Sequence, residues 1–143
     1  MSSEKCTMRL TKEPMEYGAY LVFGSECGLE PFTYSCHIRA CEEGYGYNIY
    51  SDFLAAHIMT FENKAKEIMV FIAGVVVKKE ERRKKHLTNF IEYIIKRTNA
   101  SKVSLAVDIK NVPMLKFVDK FGFKKVNAFD EVKDAIYYEY TCP

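Results

Sequence analysis

The densest set of chemically useful side chains is the run Lys78-Lys-Glu-Glu-Arg-Arg-Lys-Lys85, six basic residues and two acidic ones. It stands between an apolar stretch, Ile68 to Val77, and a segment whose apolar residues recur at helical spacing. Basic side chains at a helix start, with the free N–H groups and the dipole found there, suit a phosphate. The plain alternative is a solvated turn between a strand and a helix. Asn111 precedes a second helical stretch, where asparagine most often caps. Asp108, at a strand end, is placed to accept a proton or fix an amine, or is an ordinary loop carboxylate. Tyr137 and Tyr138 carry hydroxyls able to donate a proton, but the chain has 10 tyrosines and packing accounts for most of them.

Cys36, His37 and Cys41 look like a fragment of a metal site. Thr33 to Ala40 alternates strictly, Tyr34, Cys36, Ile38 and Ala40 against Thr33, Ser35, His37 and Arg39. That pattern predicts a strand, and Glu42-Glu-Gly44 a turn from which Tyr45 to Tyr50 returns as a hairpin partner. On a strand Cys36 and Cys41 face opposite sides, and the neighbours Cys36 and His37 point apart. Zinc also wants further ligands at workable spacing, so the expectation is no metal and no cysteine–histidine nucleophile. His57, among Phe53, Leu54, Ile58 and Met59, reads as a satisfied core or rim histidine.

The elements that must hold these residues are plainest after residue 67. Ile68 to Val77 is apolar and β-branched, as a strand buried on both faces would be. Leu87, Phe90, Ile91, Ile94 and Ile95 form one helical stripe, and Asn99 is a fitting stop. Val103, Leu105 and Val107 alternate as a second strand. Pro113 suits a helix's first turn, Met114, Phe117, Val118 and Phe121 give its apolar stripe, and Gly122 ends it. Phe123 to Val126 and Ala135 to Thr141 are two further strands around a turn at Asp130 to Asp134. Strand, helix, strand predicts parallel pairing, with the last strands an antiparallel appendage. Upstream, Met8 to Leu10 reads as an edge strand, while Met15 to Phe23 and Ser51 to Met59 fit helix or strand equally.

Length and composition set the frame. A chain of 143 residues, 48% apolar and 28% charged, reads as one globular domain, 1–143. A net charge of +2 with no basic stripe argues against a nucleic-acid binder. Five cysteines without CxxC spacing argue for reduced thiols, and the opening residues lack a secretory signal, so the expected location is cytoplasmic. The longest apolar run, ten residues, is too short to span a membrane.

From Ile68 to Val126 the chain resembles the GCN5-related N-acetyltransferases. Asn111-Val-Pro-Met-Leu-Lys-Phe-Val-Asp-Lys-Phe-Gly-Phe123 is similar to that family's Asn-x-x-Ala-x-x-x-Tyr-x-Lys-x-Gly-Phe, with Asn111, Lys120 and Gly122-Phe123 at matching offsets. The family's pyrophosphate loop, Arg/Gln-x-x-Gly-x-Gly/Ala, is matched in layout but not in letters. Starting at Arg83 puts His86 and Thr88 at the small-residue positions and keeps Leu87 and Ile91 on the buried face. Starting at Arg82 puts Lys85 and Leu87 there instead, so the Arg83 register is the better fit. Val118 stands where many members carry a proton-donating tyrosine.

The resemblance implies a mixed α/β sheet with a βαβ core flanked by helices, and acetyl-coenzyme A as co-substrate. It implies transfer of the acetyl group to a primary amine by direct attack, the acceptor being unidentified. The coenzyme would be held by Val75, Val76 and Val77, by the degenerate loop Arg82, Arg83, Lys84, Lys85, His86, Leu87 and Thr88, and by Asn111. Asp108, Tyr137 and Tyr138 are the candidates for proton transfer. Tyr45, Tyr47, Tyr50 and Phe53 read as exposed aromatics for an acceptor pocket or a homodimer contact. The rival reading is an acetyltransferase-like fold without chemistry, a protein-binding module similar to ornithine decarboxylase antizyme.

Overall fold

The apolar run 68–77 is a strand, and a seven-stranded sheet is built around it. The computed structural model describes residues 8–27, 34–126 and 134–143. In chain order the elements are β1 (Arg9–Thr11), α1 (Tyr17–Cys27), α2 (Tyr34–Glu43), β2 (Gly46–Tyr50), β3 (Leu54–Glu62) and β4 (Ile68–Val77). A 3₁₀ turn (Lys79–Glu81), α3 (His86–Thr98), β5 (Lys102–Asp108), α4 (Val112–Phe121), β6 (Lys124–Val126) and β7 (Ala135–Thr141) follow. The sheet order is β1-β2-β3-β4-β5-β7-β6, with β4 and β5 parallel and the other pairs antiparallel. This is the mixed α/β architecture expected, with β7 inserted between β5 and β6.

One face of the sheet carries α3 and α4 over a dry core. Phe90, Ile91 and Ile94 from α3 and Val118 from α4 are enclosed with Ile58, Val70 and Val103 from the strands. The helix ends follow local chemistry: Asn99 turns left-handed at φ 59° and Gly122 at φ 117°. At Gly122 that conformation needs the missing side chain.

The other face carries α1 and α2. Met15, Tyr20 and Phe23 pack there with Tyr34, Tyr50, Ala55 and Val76. This region departs from the sequence pattern. The segment expected as a strand, 33–40, is helical from Tyr34, and its buried residues His37, Ala40 and Cys41 fall at i, i+3 and i+4. Its alternation is a coincidence of composition; Gly44 ends a helix rather than turning a hairpin. β2 pairs instead with β1 and β3. At Gly46 a β-carbon would lie 2.6 Å from the Ala40 Cβ, so only glycine lets α2 come down on β2.

The two ambiguous segments resolve as helix (α1) and strand (β3). Tyr45, Tyr47, Tyr50 and Phe53 are half-buried rather than exposed, Tyr47 packing on the α3/α4 core. The turn expected at Asp130 to Asp134 lies outside the described residues except for Asp134. No helix among the described residues is long and apolar enough to cross a membrane.

Candidate active site

β4 and β5 pair only from Met69 to Ile72 against Lys102 to Leu105. Beyond that point β5 stays paired to β7 as far as Asp108, while β4 runs on with β3 to Val77. The register of β3 on β4 shifts between His57 and Ile58, which pair with Gly74 and Ile72, leaving Ala73 as the extra residue of a bulge. The carboxyl halves of the two parallel strands therefore part, the place where open α/β sheets bind ligands. Lys78 N–H donates to the Phe53 carbonyl across on the β3 side. Backbone groups alternate sides along a strand, so Val77 and Val75 turn their N–H and C=O groups toward the slot, where the Val75 backbone N–H also meets the buried Cys27 thiol. Val76 faces the α1 side and packs with Ala55 and Tyr50.

The basic run forms the mouth of this slot. Arg82 folds back, its Nε donating to the Val77 carbonyl at 3.1 Å. Glu81 receives Lys84 at 3.3 Å and His86 at 3.1 Å. Its carboxyl is held below the usual carboxylate range, chiefly by the His86 hydrogen bond. His86 lies over the Phe53 ring at 4.7 Å, and its Nδ1 is buried without a partner among the described residues. Lys78, Lys79, Arg83 and Lys85 are exposed.

Arg83 and Lys85 both adopt left-handed backbone, at φ 68° and 66°. Lys85 is the residue before α3, and its side chain makes no cap hydrogen bond, so the first N–H groups of α3 are not satisfied by a capping side chain. Glycine adopts the left-handed conformation most readily, and here two basic residues, Arg83 and Lys85, hold it instead. His86 and Thr88 are already helical. The apolar stripe reports which face of α3 is buried; the two left-handed residues mark where the loop turns into it.

The proton-transfer candidates separate. Asp108 and Tyr137 lie on one face of the sheet, Tyr137 opposite the exposed Ala106, whereas Tyr138 pairs with Leu105 and faces the α4 side beside Lys125. Asp108 is partly engaged, Oδ1 accepting from the Lys110 N–H at 2.8 Å. Asn111 caps α4, Oδ1 accepting from the Met114 N–H at 3.3 Å. Val118 is 0% exposed within the dry core.

A second cluster lies under α2. His37 Nε2 accepts from the Met15 N–H at 3.0 Å, and its Nδ1 has no partner among the described residues. His57 Nδ1 meets Asn48 Oδ1 at 2.8 Å, and Asn48 Nδ2 donates to the Glu13 carbonyl at 2.7 Å. Burial pushes both histidines down to about 4, His37 adding to the effect on His57. Sequence reasoning missed this cluster because it treated α2 as a strand; spacing of four between His37 and Cys41, closed by Gly44, was the available signal.

No family model matches the chain, and no curated protein does. Solved structures do. Arabidopsis thaliana NAA60 in complex with acetyl-CoA superposes with a TM-score of 0.69 at 12% identity, covering 96% of this chain and 98% of that one. An acetyltransferase of the GNAT family from Staphylococcus aureus Mu50 gives 0.68 at 13%, covering 94% and 99%. The IAA acetyltransferase from Bacillus cereus ATCC 14579 gives 0.67 at 12%, covering 96% and 100%. The chain therefore has the GCN5-related N-acetyltransferase fold; at these identities the likeness is one of fold.

Proposed function

We propose that the protein is an acetyl-coenzyme A-dependent N-acetyltransferase acting on a primary amine. The observation that carries this reading is the parted β4/β5 pair with an α3 N-terminus lacking a side-chain cap at its mouth. A coenzyme brings an acetyl thioester, an acyl group activated toward amines, and an anionic pyrophosphate. The N–H groups at the start of α3 and the charge of Arg83, Lys84 and Lys85 suit the pyrophosphate. The slot-facing N–H of Val77 suits the thioester carbonyl or an amide of an extended pantetheine arm, and would polarise the carbonyl; the Val75 N–H is shared with the Cys27 thiol. The amine attacks neutral, its proton leaving through Tyr137, Asp108 or water.

Two features depart from this fit. β-Carbons at Lys85 and His86 keep a phosphate further from the backbone than glycines would, and Val118 has no proton to give a departing thiolate. Those two features favour the second reading, a fold of this class used to bind a protein without chemistry.

Titration of acetyl-coenzyme A into the protein by calorimetry separates them. The enzyme reading expects micromolar binding, about −8 kcal/mol, weakened by Arg83→Glu with Lys85→Glu while the thermal transition stays in place. Absence of binding at millimolar ligand would retire it in favour of the binding module.

A further inference from the structure

His37, Cys41 and His57 take no part in the slot, yet they are among the most enclosed polar and thiol groups of the molecule. They are 3%, 3% and 4% exposed. A ring nitrogen from each histidine and the Cys41 Sγ lie within 4.8 Å of one another. They come from two elements, α2 supplying His37 and Cys41 one helical turn apart and β3 supplying His57. We propose that these three residues bind a thiophilic cation, zinc in the first place, which pins α2 to the sheet.

Two features support a ligand here beyond the grouping itself. The first is the state of His57. Asn48 Nδ2 is committed to the Glu13 carbonyl, so Asn48 presents Oδ1 to the ring and Nδ1 of His57 must be the donor. The lone pair is then on Nε2. A ring held by a carbonyl oxygen through its second nitrogen is the usual outer arrangement of a metal-binding histidine. The second is His37 Nδ1, a buried polar atom with no partner among the described residues. Such an atom costs stability unless something satisfies it. Asn48 Nδ2 also lies 3.9 Å from Cys41 Sγ, a long contact that strengthens when the sulfur carries charge.

The donor set selects the ion. One thiolate and two imidazoles suit zinc or copper and disfavour magnesium and calcium. Zinc–ligand lengths bring donor atoms to about 3.5 Å apart, so the three groups close by about 1 Å on loading. Cys41 gives its proton to solvent. His37 moves its proton from Nδ1 to Nε2 as the Met15 N–H turns off that nitrogen, so one proton is released per cation. Three protein ligands leave a fourth position for water. The proposal does not depend on acetyl transfer.

The test uses the full chain, stripped with chelator and dialysed against zinc, with cobalt as the spectroscopic probe. One equivalent of zinc is expected, with one proton released, a thiolate-to-cobalt charge-transfer band and a raised thermal transition. Zinc should shield Cys41 from alkylation while the exposed Cys36 still reacts, a reading that needs no variant. Cys41→Ser and His57→Gln should lose the band, Asn48→Ala should weaken zinc about 10–100-fold, and Cys36→Ser should change nothing. No stoichiometric binding, a band that survives Cys41→Ser, or one lost with Cys36→Ser would overturn the assignment.

Discussion

Behind α3 and α4 the sheet buries Phe90, Ile94, Val103 and Val118, side chains that ask only to be out of water. Behind α1 and α2 it buries His37, Asn48 and His57 beside Tyr20 and Phe23, groups that each need a specific partner or a specific protonation state. The first face is held by area and shape and tolerates changes of solvent condition. The second is held by a small number of directed contacts, so its stability depends on pH and on any ion it binds. One sheet thus has a face suited to being a scaffold and a face suited to being adjusted.

The largest expected effect tests the scaffold face. Phe90→Ala should cost about 3–5 kcal/mol in urea unfolding, and the loss should be the same at pH 7 and pH 5. A loss that varies with pH would break the division between the faces. The next effect belongs to the adjustable face in the metal-free protein. Burial holds both histidines near 4, so as pH falls below about 6.5 the unfolded chain takes up protons that the folded chain refuses. Stability should therefore be full above pH 6.5 and fall toward pH 4, by about 3 kcal/mol for a single histidine. His57→Gln should flatten that slope; an unchanged slope would place the acid sensitivity elsewhere. The smallest is Gly46→Ala, where the added carbon meets Ala40 of α2. It should cost about 1–3 kcal/mol and speed hydrogen exchange in α2 while leaving α3 protected. Equal loosening of both helices would show that the faces unfold as one unit.

What was legible in the sequence follows the same division. The boundaries of β4 and β7, the stop of α3 at Asn99 and the turn at Gly122 agree with the local pattern, because on the dry face burial and periodicity report the same thing. On the other face they do not. Residues 33–40 alternate in polarity, but the buried positions of α2 include a histidine and a cysteine, which polarity patterns score as solvent-facing or neutral. The turn into α3 was hidden for a related reason: Leu87 and Ile91 mark the buried side of the helix, while left-handed backbone at Arg83 and Lys85 leaves no trace when the residues there are not glycine.

By itself the sequence determined the β4-α3-β5-α4 core and its flanking antiparallel strands, since these rest on short-range spacing of apolar residues. It also determined that basic charge would gather at the start of α3. Only the tertiary structure decided that β4 and β5 part after Ile72, that Tyr137 rather than Tyr138 shares a sheet face with Asp108, and that His57 meets His37 and Cys41 from 16 or more residues away. Each of these depends on strand register and helix docking. Those are set by the sum of many contacts distant in the chain, and no local pattern encodes them.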